Sequence, residues 1–302
     1  MQNKHTMDKI VRTPEDRFNN LPDYDFSPNY INVAEELRMH YVDEGAKENP
    51  CVLLLHGEPS WSYLYRKMIP ILVDGGFRVI APDLIGFGKS DKPTDKQAYT
   101  YQTHIQWTSE LLQQLDLQDI MLFCQDWGGL IGLRLVAAVP DKFAKIVASN
   151  TMLPTGQHKV PDAFKAWVEF SKNSLAFDIG RVLSVGTITD LPDEVVAAYN
   201  APFPSDEYKA GARIFPSLVP ITEDDPEGIN NREAWKTLKQ WNKPFLTIFG
   251  DMDMITKGRE RVFQKLVPGT KGQAHTTLHA GHFIQEDVGE ELAGLLVKFY
   301  RN

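Results

Sequence analysis

One aspartate lies where an apolar segment passes directly into a helical one. Asp126 follows the apolar residues 120–124 and stands in the segment FCQDWGGL (residues 123–130), whose glycines would let a helix pack closely. An ionised carboxylate in such a turn could displace a leaving group from saturated carbon without a base. Asp126 could instead cap the helix, because aspartate is a favoured N-cap residue. The segment alone leaves both interpretations open.

Two residues further along the chain favour a nucleophile. Asp253 follows a strand predicted from Pro244, and His282, in the segment LHAGHF (278–283), follows the last predicted strand. The order of nucleophile, acid and histidine is that of the α/β-hydrolase triad. Any one of the eight histidines would by default be a surface or core residue. The place of His282 in this order nevertheless predicts a catalytic base, with all three side chains at one edge of a sheet.

The histidines near the C-terminus could instead bind a metal ion. His275, His279 and His282 are spaced so that only a helix would bring their side chains onto one face. Residues 273–278 have the pattern of a strand, which Ala280 and Gly281 end. We therefore expect neither a metal nor another cofactor.

The elements that must position these residues alternate between strand and helix. Uninterrupted apolar strands suit a parallel sheet that is covered on both faces, and the alternation predicts a doubly wound α/β fold. Strands are predicted at residues 52–55, 77–81, 120–124, 145–149 and 244–249, and helices at residues 105–117 and 130–139.

The alternation stops between residues 152 and 228. This stretch is rich in aromatic residues, favours helix and contains eight prolines. We predict a helical cap at 152–228, inserted into an α/β core formed by residues 1–151 and 229–302. A cap over the strand ends would enclose a pocket. The candidate lining residues are Phe164, Phe170, Leu175, Phe177, Val182, Leu218 and Val219.

Composition excludes several classes of protein. The 302 residues are 42% hydrophobic and 24% charged, as in ordinary folded proteins, and the net charge of −8 gives no positive field for nucleic acid or an anionic membrane. Neither a secretory signal nor a membrane-spanning run is predicted. Cys51 and Cys124 lie in apolar runs and are expected to be reduced core residues. We expect a cytoplasmic, monomeric enzyme with a small neutral substrate.

The motifs together resemble the haloalkane dehalogenases of the α/β-hydrolase superfamily, in the branch of the dichloroethane-degrading enzyme. The resemblance spans nearly the whole chain, through the segments HGEPSWS (56–62), PDLIGFGKS (82–90), QDWGG (125–129), APFP (201–204) and GHF (281–283). The second segment is general to the superfamily, whereas Glu58 after His-Gly together with Trp127 after the aspartate is more specific. Cys124 stands where many hydrolases carry a glycine, but an apolar residue there is familiar in dehalogenases.

The resemblance implies the α/β-hydrolase fold and hydrolysis of a haloalkane to an alcohol, a halide ion and a proton. Asp126 would be the nucleophile that forms an alkyl ester, His282 the base that activates water, and Asp253 the acid that orients His282. The backbone N–H groups of Glu58 and Trp127 would form the oxyanion hole.

The resemblance also implies two tryptophans that hold the halide. Trp127 would donate its indole N–H, which suits an anionic leaving group because tryptophan has a donor and no acceptor. The second tryptophan of this branch lies in the cap. Trp167 is the best match, although Trp235 and Trp241 lie not far downstream.

Three other functions occur in proteins of similar sequence pattern. Epoxide hydrolases share the aspartate and histidine and open the ring with cap tyrosines, for which Tyr199 and Tyr208 are candidates, but usually carry an aromatic residue in place of Glu58. Fluoroacetate dehalogenases carry an arginine in place of Trp127. A binding protein of this fold without turnover would have a damaged triad, whereas all three triad positions are filled here.

Overall fold

A computed structural model describes residues 9–157 and 160–302, in which ten strands and ten α-helices are formed. The strands are β1 (Ile10–Val11), β2 (Asn29–Ala34), β3 (Leu37–Glu44), β4 (Cys51–Leu55), β5 (Arg78–Pro82), β6 (Lys92–Pro93), β7 (Ile120–Gln125), β8 (Phe143–Ser149), β9 (Phe245–Gly250) and β10 (Thr276–Leu278). The helices are α1 (Ile69–Asp74), α2 (Tyr101–Gln114), α3 (Trp127–Ala138), α4 (Asp162–Asn173), α5 (Ile179–Val185), α6 (Asp193–Asn200), α7 (Ala210–Ile214), α8 (Pro226–Leu238), α9 (Glu260–Leu266) and α10 (Ile284–Arg301).

Eight strands form one sheet in the order β10–β9–β8–β7–β4–β5–β3–β2. The six strands from β10 to β5 are parallel, and β3 and β2 continue the sheet in antiparallel pairing. Every residue of β4, β7 and β9 is buried, as expected for apolar strands covered on both faces. The predicted α/β fold with a mostly parallel sheet is confirmed.

The sequence missed the antiparallel edge and the start of α2. One residue of β2 is buried and the others are partly or fully exposed, and its polar and apolar residues follow no clear pattern. The sequence therefore lacks the periodic signal that would predict this strand. Helix α2 begins at Tyr101, four residues before the predicted start. Thr100 and Thr103 cap it reciprocally, each hydroxyl accepting a hydrogen bond from the other's backbone N–H, at 3.0 and 2.9 Å.

Five helices, α4 to α8, lie between β8 and β9, in the region predicted to be a cap. The last of them, α8, runs across the predicted boundary at residue 228. Arg134 of α3 bonds to Glu227 and Asn231 of α8 at 2.8 and 3.1 Å, so α8 packs against the core. None of the helices in the described ranges has the length and apolarity needed to cross a membrane.

A buried ionic cluster fastens the inserted region to the core. Glu286, near the start of α10, accepts hydrogen bonds from the Tyr199 hydroxyl of α6 and from both terminal nitrogens of Arg66. Lys67 lies 3.2 Å from the same carboxylate. Burial opposes ionisation, but Arg66 outweighs it and lowers the pKa of Glu286. The cluster therefore holds α6 against the helix that begins just after His282.

Candidate active site

Asp126 occupies a sharp turn between β7 and α3. Its backbone has φ 50° and ψ −124°, a conformation that residues other than glycine rarely adopt. Two contacts hold it there: its N–H donates to the Asn150 carbonyl at 3.0 Å, and the Thr151 hydroxyl donates to its carbonyl at 2.7 Å. These contacts from the end of the neighbouring strand hold the turn that carries the carboxylate in its strained conformation, as is common at functional sites.

The glycines around this turn are required by close packing. A Cβ atom on Gly128 would come within 2.0 Å of the Leu55 carbonyl oxygen at the end of β4. One on Gly129 would come within 2.0 Å of the Thr151 hydroxyl, and one on Gly57 within 2.4 Å of the Asp126 Cβ. The first turn of α3 can therefore approach the sheet only without side chains at these positions.

The predicted triad residues lie together at the carboxyl ends of three strands. His282 follows β10, and its Nδ1 lies 3.1 Å from Oδ1 of Asp253, which follows β9. Its Nε2 lies 3.5 Å from Oδ2 of Asp126. The imidazole therefore stands between the two carboxylates. The other two histidines face elsewhere: His275 accepts from the N–H of Thr247 in β9 and contacts the Thr270 carbonyl, and His279 contacts the partly exposed Asp251.

The charges of the triad are strongly coupled. Burial would lower the pKa of His282, but the carboxylates of Asp253 and Asp126 raise it to about 10. Burial would raise the pKa of Asp253, but the charge of His282 and hydrogen bonds from Thr256 and Ile255 lower it to about 2. The two carboxylates therefore favour the protonated form of the His282 imidazole.

A backbone N–H group binds the Asp126 carboxylate, and a second N–H group follows Asp126 at the start of α3. The N–H of Glu58 donates to its Oδ1 at 2.9 Å. Trp127 is the first residue of α3, so its N–H has no partner within the helix. The Glu58 carboxyl is buried, and burial followed by the charge of Asp126 raises its pKa well above the usual range. Glu58 thus adds a backbone donor beside the nucleophile, while the burial of its own carboxyl group and the nearby charge of Asp126 oppose its ionisation.

The two predicted halide tryptophans line one cavity with Asp126 and His282. This cavity, the catalytic cavity, has a volume of about 590 Å³. Trp127 comes from the core, and its ring packs against Tyr101 and Phe215 at centroid distances of 5.1 and 4.6 Å. Trp167 comes from α4.

The other tryptophans considered for the halide site do not line the catalytic cavity. Trp235 donates its indole N–H to the Leu153 carbonyl at 3.0 Å. Trp241 is buried beside Lys243, whose ammonium lies 5.1 Å from its ring. Of the three candidates in and after the cap, Trp167 alone is on the cavity wall.

The lining of the cavity was predicted only in part. Phe164, Phe170, Val182 and Val219 line it as expected. The prediction was wrong for three residues: Leu175 is fully exposed, Phe177 is buried behind Trp167 at a ring distance of 6.0 Å, and Leu218 lies off the wall. The sequence missed lining residues from the loop around Asp253 and from the end of α5, namely Met252, Met254, Ile255, Val185 and Ile188.

Two polar residues beneath the histidine were also missed. Asn150, directly after β8, donates to the carbonyls of Gly281 and His282 at 2.8 and 2.9 Å and accepts from the N–H of Gly250 at 2.8 Å. Gln125 donates to the His282 carbonyl at 3.1 Å. They tie the end of β9 and the loop after β10 to the ends of β7 and β8. The only available signal was their position at strand ends.

The cap tyrosines lie away from the reaction site. Tyr199 is buried with its hydroxyl on Glu286, and neither Tyr199 nor Tyr208 lines the catalytic cavity. Neither of these two candidate ring-opening donors is therefore presented to Asp126.

Comparison with known proteins agrees with this geometry. A family model of the alpha/beta hydrolase fold matches residues 50–287. A haloalkane dehalogenase of Psychrobacter cryohalolentis is 59% identical over 296 residues, covering 96% of this chain and 98% of the relative. One of Mycobacterium marinum is 49% identical over 294 residues, covering 96% and 99%. The fold and the site thus define an α/β hydrolase.

Solved structures narrow this class further. The haloalkane dehalogenase of Paraglaciecola agarilytica, described as tetrameric, has a TM-score of 0.89 at 35% identity and covers 95% of this chain and 97% of its own. That of Bradyrhizobium elkani has a TM-score of 0.77 at 25% identity, covering 92% and 99%. The chain belongs to the haloalkane dehalogenases, hydrolases that act on carbon–halide bonds.

Proposed function

We propose that this chain hydrolyses small neutral haloalkanes through an ester on Asp126, with His282 as base, Asp253 as its orienting acid, and Trp127 and Trp167 as halide donors. The observation that carries the proposal is the position of the His282 ring, 3.5 Å from Asp126 and 3.1 Å from Asp253, at the wall of a cavity that two tryptophans share.

In the first step, a carboxylate oxygen of Asp126 attacks the halogen-bearing carbon. A carbon–oxygen bond forms, and the carbon–halogen bond breaks with its electron pair leaving on the halide. Because Oδ1 is engaged by the N–H of Glu58, Oδ2 is the freer oxygen for attack. The indole N–H groups of Trp127 and Trp167 stabilise the charge that develops on the halide. No base is needed.

In the second step, water hydrolyses the ester. Alkylation removes the negative charge of Asp126, one of the two carboxylates that raise the pKa of His282, and so makes the imidazole more readily available as a base. His282 takes a proton from water, which attacks the ester carbon. The N–H groups of Glu58 and Trp127 stabilise the resulting oxyanion, each contributing about 3 kcal/mol. The tetrahedral intermediate then collapses: the alcohol leaves with the proton that His282 took from water, and the carboxyl group of Asp126 releases its remaining proton and returns to the carboxylate.

We further propose that residues 152–228 act as the cap and that residues 1–151 and 229–302 form the core. Support comes from the wall of the catalytic cavity, to which both parts of the chain contribute: Trp127 lies on α3 and Trp167 on α4. We still predict that the chain is cytoplasmic and monomeric. We also predict that it binds neither nucleic acid nor a membrane. The relative from Paraglaciecola agarilytica is described as tetrameric.

Halide release from 1-bromobutane and 1,2-dibromoethane tests the proposal. We expect the wild type to release bromide and Asp126→Ala to release none, since the variant lacks the carboxylate that attacks the halogen-bearing carbon. Asp251→Ala is the matched control, because Asp251 lies in the loop of the orienting acid but faces the exposed His279. Equal bromide release by wild type and Asp126→Ala would contradict the mechanism. Diol formation from styrene oxide without bromide release would favour an epoxide hydrolase instead.

A further inference from the structure

A second cavity lies beside the catalytic one. This lateral groove has a volume of about 450 Å³. Its apolar floor includes Leu153, Trp235 and Phe263, all buried, and the rings of Trp235 and Phe263 stack at a centroid distance of 5.6 Å. The lateral groove and the catalytic cavity share wall residues, namely Met152, Phe164, Val219, Met254 and Ile255. Side chains shared by both cavities therefore form the boundary between them.

Exposed apolar side chains are concentrated at these two cavities. Ten large hydrophobic residues are exposed in the described parts of the chain, and eight of them line one or both cavities. Ile221, Met254, Ile255 and Val262 line the lateral groove. Contiguous exposed apolar surface costs free energy in water, and it commonly marks a binding site.

The charged residues in the described lining of the groove are all cationic. Arg232, Lys236, Lys239 and Arg259 line it, whereas its described lining residues include no aspartate or glutamate. This contrasts with the net charge of −8 of the whole chain. A local cluster of four cations around an apolar floor favours a ligand that is both apolar and negatively charged.

Two of these cations are already engaged. Lys236 pairs with Glu233 on the same helix at 2.6 Å. Arg232 donates to the backbone carbonyls of Thr155 and Glu223 at 2.7 and 2.9 Å.

The other two cations retain their donors for a ligand. Within the described ranges, Lys239 and Arg259 take part only in backbone hydrogen bonds. Lys239 lies four residues after Trp235, and Arg259 lies four residues before Phe263. Each cation therefore stands about one helical turn from a member of the stacked aromatic pair.

We propose that the lateral groove binds an alkyl carboxylate. The alkyl chain would lie over the floor of Leu153, Trp235 and Phe263, and the carboxylate would be held by Lys239 and Arg259. This site is separate from the halide site and does not depend on dehalogenation.

Octanoate binding, measured by calorimetry without any haloalkane, tests the proposal. We expect one octanoate per chain, with an affinity that falls as salt screens the cations and rises about fourfold for each added methylene. The uncharged 1-octanol should bind more weakly. No detectable octanoate binding, or equal affinity for octanoate and 1-octanol, would overturn the proposal whether or not the chain dehalogenates.

Charge variants sharpen this test. The double variant Lys239→Gln/Arg259→Gln should weaken octanoate binding by about five- to tenfold and leave 1-octanol binding unchanged. The control is Lys271→Gln/Lys298→Gln, which removes two exposed lysines that line neither cavity and has the same change in net charge. Equal weakening by both double variants would show a general charge effect and overturn the assignment of the carboxylate site.

A matched pair of bulky variants locates the ligand. Val262 lines only the lateral groove and Ile188 only the catalytic cavity, and their exposures of 38% and 42% are similar, so tryptophan can be accommodated at either position. We expect Val262→Trp to abolish octanoate binding and Ile188→Trp to retain it. The reverse result would place octanoate in the catalytic cavity and overturn the proposal.

Discussion

The proposed active site has one half in the proposed core and one in the proposed cap, and these halves are held in different ways. In the core half, Asp126, Asp253 and His282 follow β7, β9 and β10 of one sheet, and hydrogen bonds that involve backbone groups fix the loops that carry them. In the cap half, Trp167 is only half-buried, and ring contacts with Phe170 and Phe177 at 5.8 and 6.0 Å hold it. Bond-making groups depend on closely fixed geometry, whereas a donor to a large spherical halide tolerates more movement.

The largest effect is expected from a change in the core half. We expect His282→Gln to allow one alkylation and then to stall, because the ester has no base to activate water. The turnover number should fall by at least about 10³-fold. Rapid-quench measurements should show about one bromide released per chain, and intact-protein mass spectrometry should show the mass of the alkylated enzyme.

A neighbouring histidine provides the control for this prediction. His279→Gln changes an exposed imidazole that contacts Asp251 in the adjoining loop, three residues before His282. Its turnover should stay close to that of the wild type. Sustained turnover by His282→Gln would show that another group activates water and that the core half of the site has been misassigned.

The same contrast explains what could be predicted from the sequence. The positions of Asp126, Asp253 and His282 at strand ends are local signals, and their chain order adds a second constraint. The roles of Asn150 and Gln125 depend on loops that come close only in the folded chain, so no local pattern identifies them. The cap residues Leu175 and Phe177 were misplaced for a related reason: the direction in which a short helix or loop faces is set by tertiary packing.

An intermediate effect is expected in the cap half. Trp167→Phe retains an aromatic ring against Phe170 and Phe177 but removes the N–H donor. We expect the dissociation constant of bromide, measured by calorimetry, to rise about tenfold, because the variant loses one hydrogen bond to the anion. The free energy of unfolding should change little.

A packing variant separates the donor from the ring contacts. Phe170→Leu keeps the Trp167 indole and removes its stacking partner, so bromide affinity should fall by less than about threefold if packing only positions the donor. If Trp167→Phe binds bromide as tightly as the wild type, Trp167 is not a halide donor. If Phe170→Leu has the larger effect, the geometry of the cap matters more than the hydrogen bond.

The smallest effect should appear in how the free energy of unfolding depends on pH. This dependence should differ between a variant of the core half and a variant of the cap half. The pKa of His282 is raised from 6.5 to about 10, so its contribution to stability is fully present below pH 6.5 and is lost as pH rises towards 10. In Asp126→Asn one of the two carboxylates is neutral, which lowers the pKa of His282. The decline in unfolding free energy should therefore end at a lower pH in this variant.

Urea unfolding between pH 6 and 10 measures this difference. The free energy of unfolding of the wild type should fall by at most about 1.4 kcal/mol per pH unit from this one proton. The curve of Asp126→Asn should flatten earlier, whereas that of Trp167→Phe should run parallel to the wild type because no carboxylate is removed. Groups that titrate elsewhere contribute alike to all three proteins. Parallel curves for Asp126→Asn and the wild type would show that Asp126 does not stabilise the imidazolium, and the proposed fall in the pKa of His282 on alkylation would then be contradicted.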